Sequence, residues 1–177
     1  MIIKEKDMEL KAVENVAALM CAAARTAPKA HGADNLSTLV VTGKEKDKLA
    51  KEMRRIAKKN DLAFFDRDAG CVDIALSIVL FGQKTTQLNI PVCGYCGFKD
   101  CADNVKKGGA CALSASDLGT AVCSAVGVAS IHHIDNRIMF TAGRAALNLG
   151  LFEDKKVTMA YGVPLSVTGK SPFFDRR

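Results

Sequence analysis

A chain of 177 residues, 49% apolar and 25% charged, has the length of one ordinary domain and a globular balance. It can bury a core without disulfide staples, and seven cysteines in such a chain read as reduced thiols or metal ligands. The opening MIIKEKDMELK is too charged for a signal segment and VDIALSIVLFG is too short to cross a bilayer, so the expected location is the cytoplasm.

With no tryptophan and few aromatics, the core must come from Ala, Val, Leu, Ile and Met. MELKAVENVAALMCAAARTAP reads as a helix whose buried stripe is Val13, Val16, Ala17, Met20, Cys21 and Ala24, ended by Pro28. A polar loop, KAHGADN, leads to STLVVTG, a short strand. The net charge of +6 concentrates in KEKDKLAKEMRRIAKKND. Leu49, Met53, Ile56 and Ala57 fall there at helical spacing, which predicts a helix over 44–59 with its Lys and Arg on a wet face. No recognition motif and no interleaved aromatics accompany that run, which argues against a nucleic-acid partner.

Asp61–Phe65 reads as a second short strand, and AGCVDIALSIVLFG as a buried helix because of its length. A glycine-punctuated loop follows over 89–111, with a helical turn after Asp100. SASDLGTAVCSAVGVASIHHI is a long helix of small residues. Asp135 is the expected N-cap of a further helix, NRIMFTAGRAALNLGL. KVTMAYGVPLSV is the last strand, and TGKSPFFDRR a tail with two exposed phenylalanines. Helices and strands alternate irregularly, which predicts one α+β domain over 1–177.

Chemistry concentrates in CGYCGFKDCADNVKKGGAC, where Cys93, Cys96, Cys101 and Cys111 fall within nineteen residues at C-x2-C-x4-C-x9-C. Four thiolates on a Gly-rich loop suit a 4Fe–4S cluster, whose sulfides take backbone N–H bonds. Zinc also accepts four thiolates, but the second C-x2-C knuckle of a zinc ribbon is missing. Free thiols are the third reading. Cys111 is chosen as the nearest remaining cysteine, with Cys123 as the other candidate for fourth ligand. Cys21, Cys71 and Cys123 otherwise read as small buried hydrophobes. His132 and His133 are neighbours that cannot easily share one metal, and read as a helix end; His31 reads as a surface residue. TGKS at 168–171 is no phosphate loop, because Pro164 stands where the motif needs glycine and no helix follows.

CGYCGFKDC resembles the C-G-x-C-G-x-x-x-C segment of a small 4Fe–4S domain, found in a corrinoid iron–sulfur protein and in an electron-transport subunit. In those domains the last cysteine usually lies further along than Cys111 does here. AARTAPKAHGADNL, DLGTAVCSAV, IDNRIMFTAGRAALNLGL and GVPLSVTGKSPFFDR resemble the uncharacterised ferredoxin-domain proteins of anaerobic bacteria and archaea. The early stretch AAARTAPKAHGADNLSTLVVTGKEKDKLAKEM is similar to flavin nitroreductases, with Ala27, Pro28 and Asn35 carrying the likeness. That likeness implies a nitroreductase-like α+β fold, a small sheet surrounded by helices, in an intertwined homodimer with FMN. The Arg-rich opening that holds the flavin phosphate in those enzymes is replaced by MIIKEKDMEL, so the likeness implies either a fold whose flavin is lost or replaced by the cluster, or, if a flavin binds, Arg25, Lys29 and Asn35 as the residues that hold it. The expectation is an iron–sulfur electron-transfer protein of unknown redox partner, with the cluster segment inserted into the nitroreductase-like scaffold. The alternatives are a flavin oxidoreductase and a zinc-stabilised interaction module.

Overall fold

The computed structural model describes residues 1–174. Helix α1, Glu5–Thr26, buries Val13, Val16, Ala17, Met20 and Ala24, while Cys21 is only half-buried at the margin of that stripe. It stops before Pro28, which lacks the N–H a further turn would need. Lys29 then closes the end, its Nζ donating to the carbonyls of Ala24, Arg25 and Ala27 at 3.2, 2.7 and 3.0 Å. These are carbonyls that the helix itself leaves without partners. Strand β1, Leu36–Val41, leads into α2, Gly43–Asn60. The expected apolar positions of α2 are buried, but so is Lys46. Its ammonium crosses to the carbonyls of Val72 and Asp73 at 2.9 and 3.0 Å and does not join the wet face.

Two expectations fail in the next stretch. Asp61–Phe65 is no strand: Asp61 takes a left-handed turn that ends α2, and α3 begins at Ala63. The apolar run 69–82 is no single helix. It splits into the end of α3, Ala63–Ile74, and strand β2, Ser77–Gln83, around Ala75 in extended conformation. The run is apolar on every side because β2 is central and all seven of its residues are buried, so it shows neither period. A short helix, α4, covers Cys101–Lys106, with Asp100 as its N-cap accepting from the Asp103 N–H at 2.8 Å. Then come α5, Ala112–Ile131, and a two-residue strand, β3, at Asp135–Asn136. Asp135 therefore caps no helix. Helix α6, Phe140–Leu149, starts later, after Met139, which bridges to Gly162. Strand β4, Met159–Ser166, closes the sheet.

The order is β1-β2-β4-β3, antiparallel throughout. Successive side chains of β2 point to opposite faces. Ile78 and Leu80 enter a core formed with α2, α3 and α6; Val79 and Phe81 enter a second core formed with α1 and α5. On α6, Gly143 lies directly against β4, where a Cβ would overlap the Ala160 carbonyl. The tail also departs from expectation. Phe173 is buried in the first core and only Phe174 is exposed, because Arg137 holds the chain by donating to the Phe173 carbonyl at 2.9 Å.

Candidate metal centre

The cysteine segment leaves the core where β2 ends and returns where α5 begins. Both ends are tied. Fully buried Gln83 donates to Ser114 Oγ at 3.2 Å, Ser114 donates to the Lys84 carbonyl at 2.7 Å, and the Cys111 N–H donates to Thr85 O at 3.0 Å. A hydroxyl pair, Thr85 and Thr158 at 2.8 Å, fixes the same exit to the start of β4.

Cys93, Cys96, Cys101 and Cys111 all line one cavity of about 270 Å³, completed by Ile90 and Pro91. Cys93 and Cys96 come from the loop, Cys101 opens α4, and Cys111 is the N-cap of α5. Cys111 is buried and the other three are half-exposed. None is in a disulfide. The positive end of α5 lies at the cavity wall through Cys111 and Ala112, an arrangement that favours an anionic occupant. Gly97, at φ 79°, lets the chain turn back after Cys96 as a side-chain-bearing residue would not. Val92 also takes positive φ, 53°, a costly geometry for a β-branched residue, beside the first cysteine.

Asn104, on α4, holds the segment together from inside. It is fully buried, donates to the Ala110 carbonyl at 3.0 Å and accepts from Gln87, which also donates to the Gly109 carbonyl at 2.8 Å. The Phe98 N–H and then the Asn104 side chain donate to Cys96, lowering its thiol pKa from the usual value. Hydrogen bonds to sulfur are what a ligating thiolate uses. The sequence marked the four cysteines; Asn104 and Gln87 carried no signal beyond the position of Asn104 one turn after Cys101.

Among the described residues, no three His, Cys, Asp or Glu side chains converge closely enough to hold a metal ion. A single zinc needs its sulfurs about 2.3 Å from one point. A cluster presents its irons at the corners of a larger body, so its thiolates stand apart around a cavity. In this structure the four cysteines line one cavity and do not converge on a common ion.

The remaining candidates lie elsewhere. Cys123 is exposed on α5, contrary to its expected burial, and does not line the cavity. Cys71 is buried and Cys21 half-buried, and burial raises both thiol pKa values. His132 ends α5 and is exposed. Arg25 donates to Asp34 at 2.7 Å and to the Leu36 carbonyl at 2.8 Å, beside a separate cleft shared with Thr38 and Asp154. Lys29 is engaged at the end of α1, and the Asn35 carbonyl accepts from the Lys84 N–H at 3.1 Å.

A family model described as an uncharacterized protein containing a ferredoxin domain matches residues 107–176. An uncharacterized protein of Archaeoglobus fulgidus is 40% identical over 184 aligned residues, covering 99% of this chain and 98% of its own. Among solved structures, a nitroreductase with bound FMN from Desulfitobacterium hafniense superposes with TM-score 0.61 at 14% identity, over 96% of this chain and 81% of that one. The nitroreductase CinD from Lactococcus lactis, solved with chloramphenicol, gives 0.61 at 19% identity, over 92% and 84%. A nitroreductase-family protein solved with FMN from Desulfovibrio desulfuricans gives 0.58 at 13%, over 93% and 79%. These likenesses show the nitroreductase fold.

Proposed function

The chain belongs to the family of uncharacterised proteins containing a ferredoxin domain, and from that premise we propose that it is a 4Fe–4S redox protein built on a nitroreductase scaffold. The observation that carries this reading is the single cavity shared by Cys93, Cys96, Cys101 and Cys111. These four thiolates would hold the cluster, which would supply one-electron transfer to or from a separate redox partner. The chain's own part is to exclude water on the Cys111 side, to donate N–H bonds at Cys96, and to set the positive end of α5 against the anionic group.

Protein purified without oxygen is expected to be brown, with about four irons and four sulfides per chain. Colourless protein with one zinc per chain would replace this reading by the zinc-stabilised module.

The fold favours a second reading, a flavin oxidoreductase, because two of its structural relatives were solved with FMN. Arg25, Lys29 and Asn35 would then hold the flavin. Arg25 and Lys29 would first have to leave Asp34 and the end of α1. FMN co-eluting with the reconstituted chain on gel filtration supports that reading; its complete loss removes it.

We propose further that the chain is a cytoplasmic homodimer. By length and composition α5 could cross a membrane, but Leu118, Ala121, Val122, Ala125 and Ala129 bury one face of it in the second core. Its other face carries Ser116, Thr120, Cys123 and Gly127, small enough for close pairing with a second copy. Mass measured in solution at about twice that of one chain is the expected result.

A further inference from the structure

On the α2–α3–α6 side of the sheet, away from the α1–α5 layer that Cys111 opens onto, a second cavity of about 390 Å³ lies between the three helices. Its apolar wall is Phe64, Phe65 and Phe140. The buried Phe65 ring holds the other two, at 5.0 Å from Phe64 and 6.0 Å edge-on to Phe140. Phe64 and Phe140 remain 41% and 56% exposed, so neither ring serves mainly to fill the core. Arg55, Lys59 and Arg144 rim the same cavity.

The cavity is the end of a longer feature. At 100° per residue, Lys44, Lys48, Lys51, Arg55, Lys58 and Lys59 fall within about 100° of the α2 circumference, opposite its buried face, in a track about 22 Å long. Lys48 pairs with Glu45 and Arg55 with Glu52. Lys44, Lys51, Lys58, Lys59 and Arg144 have no hydrogen-bond or ion-pair partner among the described residues. No apolar side chain interrupts the track along α2, and the exposed rings stand only at its end. An evenly charged track that ends on exposed aromatic rings matches the way single strands are held: phosphates along cations, an unstacked base on a ring.

We propose that α2 together with the Phe64–Phe140 cavity binds single-stranded nucleic acid. The phosphates run along Lys44, Lys51 and Lys58, and a base enters against Phe64 and Phe140 beside Lys59 and Arg144. The sequence argued against such a partner because no aromatics interleave the basic run. The fold supplies them, bringing Phe64 from α3 and Phe140 from α6 to the end of α2.

The test is fluorescence anisotropy of the full chain with a labelled oligothymidylate of about 12 nucleotides. With Lys59 and Arg144 meeting the phosphates on either side of the inserted base, all five unpartnered cations contact phosphate, which predicts a log–log salt slope of about −3.5 and roughly a hundredfold loss of affinity between about 50 and 200 mM salt. Lys51→Glu with Lys58→Glu should abolish binding, whereas Lys11→Glu on α1 should leave it within about twofold. Phe64→Ala with Phe140→Ala should weaken binding about tenfold with the circular dichroism melt retained. Should that pair unfold, Arg144→Gln is the substitute, with affinity and salt slope both reduced. No binding at the lower salt, a polyglutamate that competes as well as unlabelled oligonucleotide, or aromatic variants that bind like the parent would each overturn the proposal.

Discussion

Asn104 shows how much of the cysteine segment depends on a side chain that is not itself a thiol. Its amide reaches three stretches of the segment: Gln87 at the exit, Cys96 in the loop, and Ala110 before α5. Replacing it with alanine strands those groups in a buried place, at a cost of about 1–3 kcal/mol. The expected result for Asn104→Ala is a lower urea midpoint and, under the proposed function, faster bleaching of the visible spectrum in air. Asn104→Asp, which keeps the shape but adds an unmatched charge, should bleach faster still. A second residue-scale prediction concerns Glu52. Arg55 hydrogen-bonds its carboxylate at 2.6 and 2.7 Å and lowers its pKa below the ordinary 4.5, with Asn148 assisting. A lowered folded pKa stabilises fully above pH 4.5 and fades as the pH falls through the folded value. Arg55 is largely exposed, so solvent screens the pair and the effect is small. Urea midpoints of the parent and Glu52→Gln should therefore differ at neutral pH and converge in acid.

At the scale of elements, the sequence was most legible where one face of an element is wet. The helices α1 and α2 have an exposed polar side that prints the helical period. The central strand has none. Ser77–Gln83 is buried on both faces, so its apolar run merged with the end of α3 into one apparent helix. The Asp135 misreading has a related cause: a residue with good capping chemistry was used instead to pair with Ser166 at the edge of the sheet. Phe173 looked like a tail residue because its burial depends on Arg137, 36 positions away. Likewise the cysteines declared themselves by crowding, while Gln87 and Asn104 became visible only when the chain closed on itself. The close approach of α6 to β4 at Gly143 yields another prediction. Gly143→Ala must push the helix off the Ala160 carbonyl, a cost of about 1–3 kcal/mol. In a chain of this length that should lower Tm by roughly 2–12 °C in a thermal melt.

For the molecule as a whole, two cores separated by one sheet account for the fold, and the cysteine segment belongs to neither. No residue between Lys84 and Ala110 is a member of either core. Under the proposed function, Cys93→Ser with Cys96→Ser should accordingly strip iron from the protein while leaving a cooperative melt within about 2 °C of the parent, since surface changes cost little. A melt that collapsed with the iron would show instead that the cluster holds the scaffold together, as metal does in zinc fingers.

The tie between Cys111 and Thr85 bears on the order of events in the cell. It joins the two ends of the segment through backbone and not through thiols, so closing the loop requires no metal. The entropy of bringing its ends together is spent during folding of the scaffold. Under the proposed function, assembly of the centre is then a late step on an already folded scaffold: a delivery reaction to a waiting cavity.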